Sequence, residues 1–323
     1  GGYAPEEVIA LFEAESGHSV EVTLSNNEEM IAKLRATAGG GFDLAQPSQD
    51  RIAGPQAEFG IYKPMDLTQI DASQFITSML EATKTNTTVD GEIYGVPHVW
   101  GTSGLVLDTT AAASVKDYTD LCSDEVAGKV SYRLKRPTLI GFAFAMGLDP
   151  FAAYGDEAAY SEIMDQVEAK LIECKPNVKT YWGGGDELMN LIRSGEVVAS
   201  MAWDTGGWKL NGEMPNVTFV APASGALGWI DTFVLPAKGR ADEAAYDWIN
   251  FVMRPEISAM ITSSAGNFTA SKGADAFADA ALKAQYQASF SAADVDNIKW
   301  YPPVPAGLET IEGGVLDRVK AAN

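Results

Sequence analysis

The chain has 323 residues, of which 46% are hydrophobic, and its formal net charge is −21. This length is ample for a large hydrophobic core and suggests two lobes rather than one. The negative charge argues against binding to nucleic acid or anionic membranes. No apolar run approaches the roughly 18–20 residues that cross a bilayer, and two cysteines with two histidines argue against a zinc site and histidine-based catalysis. We therefore predict no metal and no cofactor.

The first fifty residues alternate between helical and extended patterns. In chain order they predict a helix at 5–17, a strand at 19–24, a helix at 28–38 and a strand at 42–45. This alternation is typical of a parallel sheet with crossover helices. Ligands of such sheets lie beyond the carboxyl ends of the strands, where the polar turns 25–27 and 47–49 are expected.

A second extended segment ends at Trp100 and is followed by the small, polar and flexible stretch 101–104. Trp100 fits either a ligand site or a core position beside a turn. Residues 110–128 look like a connection between lobes, and a strand at 129–134 then leads into a helix that begins at Pro137.

The densest basic cluster of this acidic chain is Arg133, Lys135 and Arg136, at that strand-to-helix junction. Helix N-terminal amides and these bases could together bind a carboxylate or phosphonate group. The alternative is a solvated surface that neutralises nearby acids.

Tryptophan and aspartate also stand together where a later strand ends. The strand predicted at 196–204 ends in Trp203 and Asp204, and Trp208 follows. Further elements of this half are helices at 155–175, 186–194, 241–253 and 256–264, and a strand at 217–221.

The strand predicted at 228–236 carries Trp229 and Asp231 near its start. Side chains two positions apart leave the same face of a strand. A carboxylate beside an aromatic face suits a positively charged nitrogen, through charge and cation–π attraction. The alternative is a half-buried strand whose aspartate caps a turn.

No nucleotide-binding or hydrolase motif accompanies these residues. The glycine runs at 39–41 and 183–185 lack the Lys-Ser/Thr of a phosphate-binding loop, and there is no G-x-S-x-G elbow. An acidic hydrolase that uses Asp204 and Asp231 is the remote alternative from another functional class.

Several separated stretches together resemble the periplasmic spermidine- and putrescine-binding proteins of bacterial ABC importers. The most specific are Trp229-Ile230-Asp231 and Asn250-Phe251-Val252-Met253-Arg254-Pro255, supported by segments 3–5, 25–34, 42–48, 94–102 and 195–203. The resemblance implies an α/β, two-lobed periplasmic-binding-protein fold with a hinge and an interlobe ligand cleft. The expected N-terminal lobe is 1–109 plus 232–285, and the expected C-terminal lobe is 110–231 plus 286–323.

By motif, the resemblance carries over five ligand-binding residues: Ser48, Trp100, Trp203, Trp229 and Asp231. In that family, aromatic side chains sandwich an alkylammonium chain and acids hold its amino groups. The predicted ligand-binding set is completed by Arg133, Arg136, Asp204, Trp208 and, from the loop 266–269, Asn267. The resemblance further implies a monomeric, non-enzymatic protein that delivers a small solute to the membrane permease of an ABC importer.

Two departures from the family bear on the ligand. Polyamine-binding members have acids in the segment that here reads Arg133-Leu134-Lys135-Arg136-Pro137, so a base replaces an acid in this region, and His98 stands where a tyrosine is usual. These changes favour a solute with an amine held by Asp204 and Asp231 and an anionic group at its other end. An ω-amino acid, an aminophosphonate or a betaine-like solute fits, and the alternative is a plain polyamine, with the arginines in structural ion pairs.

The resemblance also sets an expected compartment. The start of the chain shows no basic or apolar leader segment, so we expect a processed protein of the periplasm. In that oxidising setting, Cys122 and Cys174 are expected to form a disulfide, although two buried thiols fit the cysteine count equally well. Closing that loop would contribute on the order of 4 kcal/mol to stability.

Overall fold

The computed structural model describes residues 2–322, which form two compact units. The first unit comprises residues 2–100, 229–282 and 302–306, and the second comprises 101–228, 283–301 and 307–322. The mixed helix and sheet content confirms the predicted α/β class. The lobe boundaries given above stay a prediction.

The helices are α1 (Glu6–Ser16), α2 (Asn27–Ala36), α3 (Ala53–Phe59), α4 (Thr77–Asn86), α5 (Arg136–Ala145), α6 (Glu157–Cys174), α7 (Gly185–Arg193), α8 (Asp204–Glu213), α9 (Asp242–Val252), α10 (Pro255–Ala265), α11 (Ala280–Ser289), α12 (Ala292–Asp296) and α13 (Leu308–Ala321). The strands are β1 (Tyr62–Lys63), β2 (Thr88–Val89), β3 (Glu92–Ile93), β4 (Val96–Asp108), β5 (Val130–Tyr132), β6 (Val178–Tyr181), β7 (Ala199–Trp203), β8 (Val217–Val220), β9 (Leu227–Phe233), β10 (Leu235–Pro236), β11 (Phe268–Thr269) and β12 (Lys299–Trp300).

The core of the first unit lies where α1 packs against α9 and α10. Val8 and Phe12 are one turn apart on α1 and are buried, and the Phe12 ring meets the Trp248 ring edge-on at 5.1 Å. Gly17 ends α1 in the left-handed conformation, with φ of 75°, and its N–H caps the Glu13 carbonyl. The predicted helices at 5–17, 28–38, 241–253 and 256–264 are thereby confirmed.

The strands predicted near the N-terminus are wrong in the first unit. Residues 19–24 pair with no strand within residues 2–322, and Val22 and Leu24 are exposed. Of residues 42–45, Ala45 alone forms a bridge, to Val234. Alternating side chains favour an extended backbone, but a strand also needs a neighbouring strand to bond its backbone. The pairs that this unit does form, β1–β10, β2–β3 and β11–β4, are antiparallel.

The second unit contains a mixed sheet with the strand order β6-β5-β7-β4-β8. β5 pairs in parallel with β6 and β7, whereas β4 is antiparallel to β7 and β8. The stretch 101–104 is therefore buried strand and not the flexible segment that its small residues predicted. The chain passes from the first unit to the second within β4, and returns within β9.

The predicted disulfide is confirmed. Cys122 and Cys174 are bonded, with their Cα atoms 4.6 Å apart, which joins the end of α6 to the turn at 118–122. The Asn177 side chain donates to the carbonyls of Leu121 and Ser123 on either side of Cys122. Among residues 2–322, none of the helices combines the length and hydrophobicity needed to cross a membrane.

Candidate functional site

Asp231 is held in the first unit by two hydroxyl donors. Ser48 Oγ donates to Asp231 Oδ1 at 2.6 Å, and Tyr3 OH donates to Oδ2 at 2.8 Å. Ser48 and Asp231 also form an antiparallel bridge, which brings the turn at 47–49 beside β9. Within residues 2–322, no basic side chain pairs with this carboxylate, so its charge meets neutral donors only.

Loss of hydration raises the pKa of Asp231 to about 6, and the nearby Asp50 charge adds to the rise. The hydrogen bonds from Ser48 and Tyr3 act in the opposite direction, because they stabilise the ionised form. The residue is partly exposed although protein atoms have displaced much of the water around its carboxylate. Such a carboxylate is stabilised when a cation approaches it.

Asn27 is bonded twice to Ser48. The Ser48 backbone N–H donates to Asn27 Oδ1 at 3.0 Å, and Asn27 Nδ2 donates to Ser48 Oγ at 2.9 Å. Asn27 is the first residue of α2, and the side chain of the preceding Asn26 caps that helix by accepting from the Glu29 N–H. The two polar turns that the sequence placed at strand ends therefore meet, although the predicted strands are absent.

The first unit also contains two tryptophans of the predicted site. Trp229 is partly buried against the unit's core, and within the described residues its buried Nε1 has no hydrogen-bond partner. Trp100 stacks on Phe268 with ring centroids 5.6 Å apart, and the buried Asn267 directly precedes Phe268. The structure thus places Ser48, Trp100, Trp229, Asp231 and Asn267 in the first unit.

His98 supports the network from within the same unit. Its ring stacks on Phe233 at 4.2 Å and meets the Tyr3 ring edge-on at 5.8 Å, while Gln46 Nε2 lies 2.7 Å from its Nδ1. Complete burial lowers the pKa of His98 to about 3, so the imidazole is neutral. His98 therefore packs against the Tyr3 ring as an uncharged aromatic group.

Asp204 lies in the second unit, at the junction of β7 and α8, and is buried. Its Oδ2 accepts from the backbone N–H and the hydroxyl of Thr102, at 2.8 and 2.9 Å, and its Oδ1 accepts from the Thr205 N–H at 2.7 Å. Both carboxylate oxygens therefore accept hydrogen bonds from backbone N–H groups of this unit, so Asp204 has a structural role.

Arg136 is buried in an ion pair of the second unit. Its Nη1 lies 3.3 Å from Glu312 Oε1, and that oxygen also accepts from Tyr160 OH at 2.6 Å. Arg136 Nη2 further donates to Tyr154 OH. These contacts tie α5, α6 and α13 together, as the alternative of a structural ion pair anticipated.

Arg133 differs from Arg136 because it is partly exposed. Its guanidinium lies 5.4 Å from the ring centroids of both Trp182 and Trp203, and these two indoles meet edge-on at 5.1 Å. The basic cluster of the sequence is therefore split into Arg136 in a buried ion pair, Arg133 on an aromatic surface and the exposed Lys135.

Trp208, also in the second unit, is almost completely buried. Its Nε1 donates to Ser289 Oγ at 2.9 Å, and its ring packs near Phe219 and Tyr286. These contacts make Trp208 a core residue of that unit.

The residues that the sequence prediction left out of the site are Tyr3, Asn27 and Asp50. Asn27 lay in a polar turn at a predicted strand end, which was a usable signal. Tyr3 lies in the segment 3–5 that resembles the family, but no local pattern linked Tyr3 or Asp50 to Asp231, because they approach it only when distant segments of the chain fold together.

Known proteins place this chain in a family. Residues 7–290 match the bacterial extracellular solute-binding proteins. The chain belongs to that family. Its members bind solutes for ABC importers and are not enzymes, so a small-molecule ligand and a membrane permease are implied as partners.

Individual relatives agree with this assignment. The chain is 27% identical over 276 residues to the spermidine/putrescine-binding periplasmic protein of Escherichia coli, covering 82% of this chain and 74% of the relative. The spermidine/putrescine substrate-binding protein PotD of Streptococcus pneumoniae has a similar structure, with a TM-score of 0.77 and 21% identity. The match covers 99% of this chain and 96% of the PotD chain. The GABA receptor Atu4243 shares the fold at a TM-score of 0.72, with 17% identity. The match covers 99% of this chain and 94% of the receptor chain. The fold is thus the two-lobed periplasmic-binding-protein fold.

Proposed function

We propose that this chain captures, in the periplasm, a small solute that carries a positively charged amine nitrogen at one end and an anionic group at the other. The observation that carries the proposal is the Asp231 carboxylate, which has two neutral donors and no basic partner within residues 2–322. An ammonium group would supply the missing positive charge and donate hydrogen bonds, and the face of Trp229 would add cation–π attraction.

Two side chains of the second unit, Asp204 and Arg133, support an anionic group at the other end of the solute. Asp204, which was expected to hold an amine, already accepts hydrogen bonds on both oxygens. Arg133 adds a positive charge over the ring of Trp203, and such a charge attracts an anionic group and repels an ammonium group. We assign the anionic end to Arg133 and not to Arg136, which is bonded to Glu312 inside its unit.

A plain polyamine is the second candidate, and the curated relatives favour it. The E. coli protein is a spermidine/putrescine-binding protein, and it covers most of this chain. The two candidates share the amine at Asp231 and differ in the charge at the other end of the ligand.

Calorimetry with the full chain tests both candidates. The ligands are putrescine, spermidine, γ-aminobutyrate, 2-aminoethylphosphonate and glycine betaine, and each is recovered afterwards to show that it is chemically unchanged. Asp231→Asn is expected to weaken binding at least about 30-fold, since losing one partner of a desolvated charge pair costs about 2–5 kcal/mol. Asp247→Asn, which removes the same charge from an exposed position of the same unit, is the matched control.

Arg133→Ala separates the two ligand classes. For a zwitterion, its loss should weaken binding about tenfold, as expected of a charged hydrogen bond worth about 1.5 kcal/mol. For a polyamine, removal of a positive charge should leave affinity unchanged or improve it. Undisturbed binding by the Asp231→Asn protein would rule out the amine site itself.

A further inference from the structure

The contact between Asn27 and Ser48 fixes the orientation of the amide. A backbone N–H can only donate, so the Asn27 atom that faces Ser48 N must be the oxygen. The Nδ2 group is then left to face Ser48 Oγ, at 2.9 Å. The direction of both hydrogen bonds follows from the chemistry of the donors.

This orientation also determines where the Ser48 hydroxyl proton lies. Because Oγ accepts a hydrogen bond from Asn27, its single proton is left for another acceptor. Asp231 Oδ1 is 2.6 Å away, and an ionised carboxylate only accepts. The donors therefore run in one direction, from Asn27 through Ser48 to Asp231, while Tyr3 donates to the other oxygen.

We propose that Asn27 is a positioning residue for ligand binding, which acts through Ser48 by fixing the hydroxyl as a donor to Asp231. The proposal rests on the proposed function for its consequence in binding, but not for its effect on Asp231. Without Asn27, the hydroxyl is able to rotate and donate elsewhere, and the carboxylate then loses one of the two donors that favour its ionised form. The role is distinct from helix capping, because Asn26 caps α2.

Among residues 2–322, Tyr3 and Asp50 are the ionisable groups that act on Asp231. Tyr3 donates to it, and Asp50, at the start of the short turn 49–51, opposes its ionisation. His98 touches the ring of Tyr3, and its complete burial keeps it neutral at any pH at which Asp231 titrates. A change in the titration of Asp231 on substitution of Asn27 is therefore attributable to Ser48 unless a new charge is introduced.

The test is a carbon-13 NMR titration of the Asp231 carboxyl in the ligand-free full chain, with its signal assigned by its loss in Asp231→Asn. Asn27→Ala should raise the pKa of Asp231 by at least about half a pH unit, since a donor to the charged form is lost. Asn27→Asp should raise it further, because a carboxylate at 27 competes for the Ser48 proton and adds a like charge. Asn27→Ala should also weaken amine binding at pH 6 by about twofold or more, since a half-unit rise of the Asp231 pKa from about 6 roughly halves its ionised fraction at that pH.

The matched control is the neighbouring Asn26→Ala. It removes the helix cap, so it should lower the unfolding temperature without moving the Asp231 titration or the affinity. An Asp231 titration in Asn27→Ala that coincides with the wild type would overturn the proposal, as would an equal shift in Asn26→Ala. If no amine binds the wild-type protein, the proposed function fails, but the titration still decides whether Asn27 controls Asp231.

Discussion

Asp231 in the first unit and Arg136 in the second are both charged groups from which protein atoms have displaced water, and they differ in their hydrogen-bond and ion-pair partners. Arg136 is bonded to Glu312, an opposite charge within its own unit. Asp231 has hydroxyl donors but no opposite charge within residues 2–322. A buried pair is complete without a ligand, whereas a desolvated charge with neutral donors is stabilised further by a cation from outside.

The comparison separates two kinds of conspicuous charge in a binding protein. Arg136 contributes to the architecture, because its ion-pair partner Glu312 lies on α13 and also accepts a hydrogen bond from Tyr160 on α6. Asp231 is costly to the architecture at neutral pH, because burial disfavours its ionised form. A charge whose environment opposes it is a better candidate for a ligand contact than one whose environment satisfies it.

The largest effect is expected from breaking the pair in the second unit. Arg136→Ala should lower the free energy of unfolding by about 3–5 kcal/mol, because it leaves the buried Glu312 without its partner. Denaturant unfolding measures this. Arg318→Ala is the control, since the side chain of Arg318 is 54% exposed and its ion pairs should contribute at most about 1 kcal/mol. A cost for Arg136→Ala as small as that of the control would show that the pair is not structural.

The second expectation concerns the pH dependence of stability caused by Asp231. Its pKa is about 6 in the folded chain and about 3.9 when unfolded. Between these values the folded state binds more protons, so the free energy of unfolding falls as pH rises from about 4 to 6. The loss is at most about 3 kcal/mol, and less to the extent that water reaches the carboxylate.

Unfolding of wild type and Asp231→Asn at several pH values isolates this contribution together with its coupling to Asp50, because carboxyl groups that do not interact with Asp231 titrate equally in both proteins. The difference between the two curves should change across pH 4–6. A saturating amine ligand should reduce the fall in the wild type. Parallel curves would mean that Asp231 is not destabilised when ionised.

Removing one donor from Asp231 should have a smaller effect. Tyr3→Phe keeps the ring against His98 but loses the hydroxyl, and should weaken amine binding about tenfold, as expected for a hydrogen bond to a charged group. Tyr62→Phe is the matched control in the same unit, because among the described residues its buried hydroxyl has no hydrogen-bond partner. Calorimetry at pH 7 compares the two, and equal affinities would show that Tyr3 does not support the site.

Part of this comparison was predictable from the sequence. Trp229 and Asp231 could be paired because strand geometry puts side chains two positions apart on one face. The sequence could not show which of Arg133 and Arg136 is buried in an ion pair. Their environments depend on Trp182 and Glu312, which lie far along the chain. The alternation at 19–24 is likewise a local pattern, and it predicted a strand for which the described part of the chain contains no partner strand.

The smallest effect is expected for Trp229→Phe. Because Trp229 Nε1 has no hydrogen-bond partner within the described residues, the change costs no hydrogen bond and tests the aromatic face alone. A phenyl ring attracts cations less than an indole does, so affinity for an amine should fall only about two- to fivefold, corresponding to about 0.5–1 kcal/mol. Trp229→Leu has no aromatic face and should lose more, up to about 2 kcal/mol. Calorimetry with one amine ligand ranks the three proteins, and a leucine variant that binds as well as the wild type would place the cation away from Trp229 and leave Asp231 to hold it alone.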